Sequence, residues 1–293
     1  MGGLTMGSQD NDKTVLGKIQ YTNAWPIFYY FEPDSLHGTV EMITDVPSIL
    51  NRGMGEGQID IGALSSFAYG EISDSLLLLP DLSVSADGPV HSILLFSKVP
   101  LEYIINGRIA VTNTSASSTN LLKILMSKAL EGNPEYITVD PDLSRMMEVA
   151  DAALLIGDHA IKASWEDHGL YVTDLSELWN QWTGFSMTFA VWAVHRDAAE
   201  NKPEVIREIV DALLASKRQS LSDLSPIVYE AMKTIGGTMK YWQRYFENLC
   251  YDYGARQRQG LELYFRYAYE LGLISHEVTM ELWQEKTRIQ VKE

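Results

Sequence analysis

The sequence predicts an α/β protein of two lobes with a cleft between them and a helical C-terminal region. Three observations carry that expectation. From residue 18 to about 195, short apolar runs alternate with helix-spaced patterns, the order that builds largely parallel sheets. The extended runs are too many for one small sheet, and the longest of them, between 76 and 96, is broken by Asp87-Gly88-Pro89. After Pro203 the strand signal stops and helical spacing takes over.

Strands are expected at 18–21, 40–43, 59–63, 76–79, 91–96, 108–111, 136–139, 152–156, 171–173 and 189–194. Helical patterns at 47–52, 66–72, 117–130, 143–149 and 175–182 fill the intervals. Gly53, Gly55 and Gly57 follow a helix rather than a strand and lack dinucleotide-binding spacing, so they read as a helix stop and turn. Pro203 opens a helix where proline is tolerated, and Ile206, Ile209, Val210, Leu213 and Leu214 make its apolar stripe. Stretches 224–234, 239–249, 255–271 and 278–286 read as further helices, the last a surface-packed closing one. Gly236-Gly237, Gly254 and Gly272 punctuate them. The chain is expected to cross between lobes near residue 98 and to return at 189. The first lobe is then 17–98 plus 189–293, the second 99–188, and the small, polar stretch 1–16 a frayed or tag-derived start. That start has no apolar h-region, and no run approaches the roughly 18 uncharged apolar residues of a spanning helix, so a cytoplasmic protein is expected.

Charge narrows the partners. Asp and Glu number 39 against 23 Lys and Arg, a net −16. So acidic a surface repels phosphate backbones and anionic lipid, which argues against nucleic acid and membrane surfaces as partners and leaves small ligands open. One cysteine, Cys250, excludes an internal disulfide framework and a multi-cysteine metal site. The histidines are dispersed, without helix-face ligand spacing, and no nucleophile-elbow, P-loop or zinc-protease motif is present.

Hydroxyl-rich strand-to-helix junctions stand out instead. One passes through Ser65-Ser66 into a helical Phe67-Ala68-Tyr69. The other, residues 112–119, has hydroxyl or amide side chains at every position but Ala116 before a Leu-Leu helix. Simple N-capping explains one such junction; the second exceeds what capping needs. Helix N-termini with neutral hydroxyl donors from opposing lobes could grip a dicarboxylate without a lysine. Asn23, just after the first strand in Tyr21-Thr22-Asn23-Ala24-Trp25-Pro26, reads either as a turn asparagine or as a cleft residue. Asp158 ends the buried run Ala152-Ala153-Leu154-Leu155-Ile156-Gly157, either as a helix cap or as a cleft acid or base. The aromatic-rich stretch 179–185 reads as packing ahead of a stacking site.

Taken in order, these pieces resemble the menaquinone-biosynthetic chorismate dehydratases of the futalosine route, which share the periplasmic-binding-protein type II fold. The matching motifs are Tyr21-x-Asn23-x-x-Pro26, Gly57-Gln58-Ile59-Asp60-Ile61 through Ser65-Ser66-x-x-Tyr69, and Gly88-Pro89-Val90-x-Ser92-Ile93-Leu94-Leu95. Thr112-x-x-Ser115-x-Ser117-Ser118 and Leu154-Leu155-Ile156-Gly157-Asp158-x-Ala160 follow. Asp174-Leu175 through Trp179, Thr183-Gly184 and Phe189-Ala190-Val191-Trp192 complete the set. Together they span about 17–196. Phe185-Ser186-Met187-Thr188 departs from a Leu-Pro-Phe-like stretch usual there, and Ser176 stands where glycine is usual.

The resemblance implies dehydration of chorismate to 3-[(1-carboxyvinyl)oxy]benzoate, with no organic cofactor and no metal. It implies Asn23 and Asp158 as catalytic candidates and Ser65, Ser66, Phe67, Ser92, Ser115, Ser117, Ser118 and Gly157 as a substrate-binding set. The base is either Asp158 or the substrate's own enolpyruvyl carboxylate, which holding close to C3 would favour. Two other readings share the fold: a non-catalytic solute-binding protein, and the sister synthase of 1,4-dihydroxy-6-naphthoate, which places a histidine where Gly157 stands.

Overall fold

The computed structural model describes residues 13–284 apart from residue 113. Residues 1–12 of the start expected at 1–16 lie outside them. β1 (Lys13–Ile19) leads through a 3-10 turn (Thr22–Ala24) into α1 (Trp25–Phe28), followed by β2 (Thr39–Asp45), α2 (Pro47–Gly55), β3 (Ile61–Ser65), α3 (Ser66–Ile72) and β4 (Leu76–Ala86). Next come β5 (Ile93–Ser97), β6 (Arg108–Val111), α4 (Ala116–Ile124), β7 (Glu135–Thr138), α5 (Leu143–Val149), β8 (Ala152–Ile156), α6 (Gly157–Ser164), β9 (Tyr171–Asp174) and α7 (Leu175–Thr183). The chain finishes with β10 (Met187–His195), α8 (Arg196–Asn201), α9 (Pro203–Ser222), α10 (Ser225–Thr234), α11 (Met239–Asn248), β11 (Leu249–Cys250) and α12 (Ala255–Glu270).

These strands form two sheets, one six-stranded in the order β11-β4-β10-β3-β1-β2 and one five-stranded in the order β7-β6-β8-β5-β9. Both are mixed rather than largely parallel. β1 runs parallel to β2 and β3, and β6 parallel to β7 and β8. The strands next to the crossings, β10 and β5, enter from the other sheet and pair antiparallel, β10 with β3 and β4, β5 with β8 and β9. β3, β5 and β8 are buried along their whole length, which is why they read as unbroken apolar runs.

Three sequence expectations shift. β1 begins at Lys13, so residues 13–16, assigned to the irregular start, are paired in register with β2. Ile93–Ser97, expected in the first lobe, belongs to the second sheet, which moves the first crossing to 87–92. The closing helix does not form over 278–284. Leu78 offers its backbone at the sheet margin, donating to Glu281 O at 2.8 Å and accepting from Trp283 N at 2.7 Å, and these bonds hold the segment extended. Residues 285–286 of that expected helix lie outside the described residues.

The C-terminal helices span the seam between the sheets. Tyr264 on α12 donates to Ser117 O at 3.1 Å, and Tyr267 stacks on Trp182 with centroids 5.2 Å apart. Trp179 is fully buried, Trp182 packs against it and against Tyr267, and Phe185 packs against the core, so the aromatic stretch 179–185 serves packing. No helix among the described residues is long and apolar enough to cross a membrane.

Candidate active site

Strand ends deliver the candidate residues to one place. β1 and β3 are parallel, so the turn after β1 and the β3–α3 junction open at the same edge of the first sheet. β6 and β8 are parallel, so the β6–α4 and β8–α6 junctions share an edge of the second. Three hydrogen bonds from two residues join the edges. Thr22 Oγ1 donates to Asp158 Oδ1 at 2.5 Å, with Thr22 N at 3.4 Å from the same oxygen. Phe67 N donates to Ser117 Oγ at 3.0 Å.

Asp158 therefore stands in the first turn of α6 rather than in the capping position, which Ile156 occupies. Burial raises its pKa above the ordinary aspartate value; the two Thr22 donors, Lys162 and His159 oppose that rise without cancelling it. Beside it, Gly157 has φ +56, and a Cβ there would meet the Tyr21 ring at 3.1 Å. A side chain at 157 would need both a left-handed backbone and a displaced Tyr21, which disfavours the histidine of the sister synthase. Asn23 is half-buried, and its Oδ1 is buried with no hydrogen-bond partner among the described residues.

The hydroxyls divide by what they already bind. Ser65 caps α3, accepting from Ala68 N at 3.2 Å, and is held by Asn51. Ser66 is fully buried and gives its proton to Thr188 O at 2.8 Å, inside the stretch that departs from the family pattern. Ser92 is fully buried as well, donating to Val90 O at 3.4 Å and accepting from Tyr245 OH at 3.0 Å. Ser115 caps α4 through Ser118 N at 3.3 Å and donates to Ser118 Oγ at 2.9 Å. So Asn23, Ser65, Ser115, Ser117, Ser118 and Asp158 belong to the junctions at the two edges, as do Phe67 and Gly157, while the protons of Ser66, Ser92 and Ser115 are already donated within the protein. No lysine or arginine is among these residues, and α4 is the longer of the two hydroxyl-capped helices.

Sequence reasoning missed Thr22, Asn51 and Tyr245. Thr22 sat within a quoted motif beside Asn23; the other two come from helices that read as ordinary packing elements. A cavity of about 950 Å³ lies elsewhere, lined by residues such as Leu77, Arg196, Pro203, Arg258 and Trp283. None of the junction residues borders it, and the chemistry of the converging junctions locates the site better than cavity size does.

Two mixed α/β sheets joined by two crossings, with junctions facing each other across the seam, define a periplasmic-binding-protein-like clamp. Solved structures share it. Protein AF1704 from Archaeoglobus fulgidus superposes with a TM-score of 0.72 at 21% identity, over 90% of this chain and 100% of its own. The periplasmic aliphatic sulphonate binding protein SsuA from Escherichia coli gives 0.68 at 16% identity, over 96% and 95%. A family model described as menaquinone biosynthesis matches residues 14–270. A chorismate dehydratase from Thermus thermophilus is 34% identical over 265 residues, 85% of this chain and 93% of its own length. The chain belongs to the menaquinone-biosynthesis family.

Proposed function

We propose that the protein dehydrates chorismate to 3-[(1-carboxyvinyl)oxy]benzoate, working in the cytoplasm on the futalosine route. The observation that carries this is Asn23, whose buried Oδ1 has no partner among the described residues and which follows Thr22, the residue bonded to Asp158. A buried polar atom left unpaired costs stability, and a ligand group that completes it removes that cost. An amide end accepts as oxygen or donates as nitrogen, and chorismate offers a hydroxyl for the first and a carboxylate for the second.

In the elimination, the C3–H bond breaks and its electron pair forms the ring double bond as the C4–O bond breaks. The C3 proton passes by way of a base to the departing C4 oxygen, so that one water leaves, the base is regenerated and the ring becomes aromatic. We assign the C3 proton to the substrate's own enolpyruvyl carboxylate, held against C3 by the hydroxyl set, with Asn23 fixing the reacting face. Asp158 is suited to the other half. A carboxylate facing a dianion repels it; burial disfavours the charged form of Asp158, which lessens that repulsion, and the group is placed to hydrogen-bond the leaving hydroxyl.

Incubation with chorismate should yield a product lighter by one water. Asn23→Ala should abolish turnover while keeping the wild-type melting temperature; near-normal turnover removes Asn23 from the mechanism. Chorismate that binds and is recovered unchanged would instead favour a solute-binding protein.

A further inference from the structure

Ser65 and Ser66 are neighbours of the same chemistry, yet the structure gives them opposite capacities. Ser66 has donated its proton to Thr188 O. Ser65 is 4% exposed, and its oxygen accepts two bonds, from Asn51 Nδ2 at 3.1 Å and Ala68 N at 3.2 Å. The orientation of the Asn51 amide is not free. Ser65 N can only donate, and it donates to Asn51 Oδ1 at 2.9 Å, so the nitrogen end of the amide must face Ser65 Oγ. A hydroxyl has two acceptor sites and one proton. Both acceptor sites are filled, and among the described residues no acceptor takes the proton.

We propose that Asn51, on α2, is a positioning residue that makes Ser65 an obligate hydrogen-bond donor to a carboxylate oxygen of the substrate. A free serine hydroxyl serves donors and acceptors alike; one saturated in this way selects acceptors, and charged acceptors above neutral ones. The ligand therefore meets a fixed O–H rather than a rotor that must be reoriented on binding. The assignment rests on the dicarboxylate reading given above.

Affinity for the product dicarboxylate, 3-[(1-carboxyvinyl)oxy]benzoate, measured by calorimetry in wild type, Asn51→Asp, Asn51→Ala, Ser65→Ala and the Asn51→Asp/Ser65→Ala double variant, tests it. An aspartate at 51 still accepts from Ser65 N but also draws in the Ser65 proton, turning the hydroxyl away from the ligand. Asn51→Asp should weaken binding by about tenfold or more, Ser65→Ala by a similar factor, and the double variant no further than Ser65→Ala. Asn51→Ala leaves the hydroxyl free to point either way and should cost less than Asn51→Asp. If Asn51 only satisfied the Ser65 backbone, Asn51→Ala would be the more damaging change, and that order overturns the proposal. Independent losses adding up in the double variant overturn it too, since they would mark simple charge repulsion. A wild type that binds the product but does not dehydrate chorismate would sink the proposed activity and leave the role of Asn51 standing.

Discussion

Asp158 is a carboxyl that folding makes easier to protonate, because burial penalises its charge more than Thr22, Lys162 and His159 relieve it. Between its unfolded pKa, about 4, and its raised folded value, the folded chain holds more protons than the unfolded one. Stability from this group is therefore full at low pH and is lost as pH climbs through that interval. Asn at 158 keeps an acceptor for Thr22 and cannot titrate. The difference in melting temperature between Asp158→Asn and wild type should move in favour of the variant as pH rises from 4 to 8, and a difference independent of pH would show that Asp158 titrates normally. At this scale the sequence was partly legible. The hydroxyl-rich junctions and Asn23 stood out because their density exceeded what capping requires. Which of Ser65 and Ser66 is free to donate was not legible, since it depends on Asn51 and Thr188, brought from α2 and β10 by tertiary packing.

At the scale of elements, α12 is placed by a backbone contact as well as by side chains. A Cβ at Gly260 would run into the carbonyl oxygen of Ser186, in the segment returning from the second sheet to the first. Gly260→Ala should thus lift the helix and cost about 2–3 kcal/mol or more in urea unfolding, while Arg256→Ala, which removes an exposed pair with Asp87, should scarcely shift the midpoint. Equal effects would mean that α12 is held by charge rather than by close approach. Most elements were readable from periodicity because their apolar faces are continuous: β6, α3, α5 and β8 fall where the pattern puts them. The errors occur where partners rather than patterns decide. Residues 278–284 have helical spacing, yet Leu78 needed backbone partners and took them. The Ile93–Ser97 run looked continuous with β4, and only its pairing with β8 and β9 places it in the other sheet.

Over the whole molecule, a net charge of −16 opposes the approach of a dianion. Capture has to come from neutral donors at short range, because the long-range field works against it. Raising ionic strength shortens the screening length to roughly 10 Å at 0.1 M and should weaken that opposition. The apparent second-order rate with chorismate should consequently rise or hold steady between low and moderate salt, where a positively steered enzyme would slow. A steep fall would indicate a basic approach path that the junction residues do not supply. The net charge was legible from composition alone, and the lack of lysine and arginine at the hydroxyl-rich junctions from their sequence; the bonds that tie the two edges together were not.

The strand order also sets a schedule for the growing chain. Every strand of the five-stranded sheet has been made once Asp174 is synthesised, whereas β10, which lies between β3 and β4, comes afterwards, and β11 later still. On the ribosome the second lobe has all its pairing partners while the first is two unjoined pieces, with β3 and β4 each exposing an edge that another chain could pair with. Tyr245 and Tyr264 arrive last and close onto Ser92 and Ser117. A transcript truncated before β10 would yield a chain with a finished second sheet and a divided first one, the form most exposed to aggregation and proteolysis.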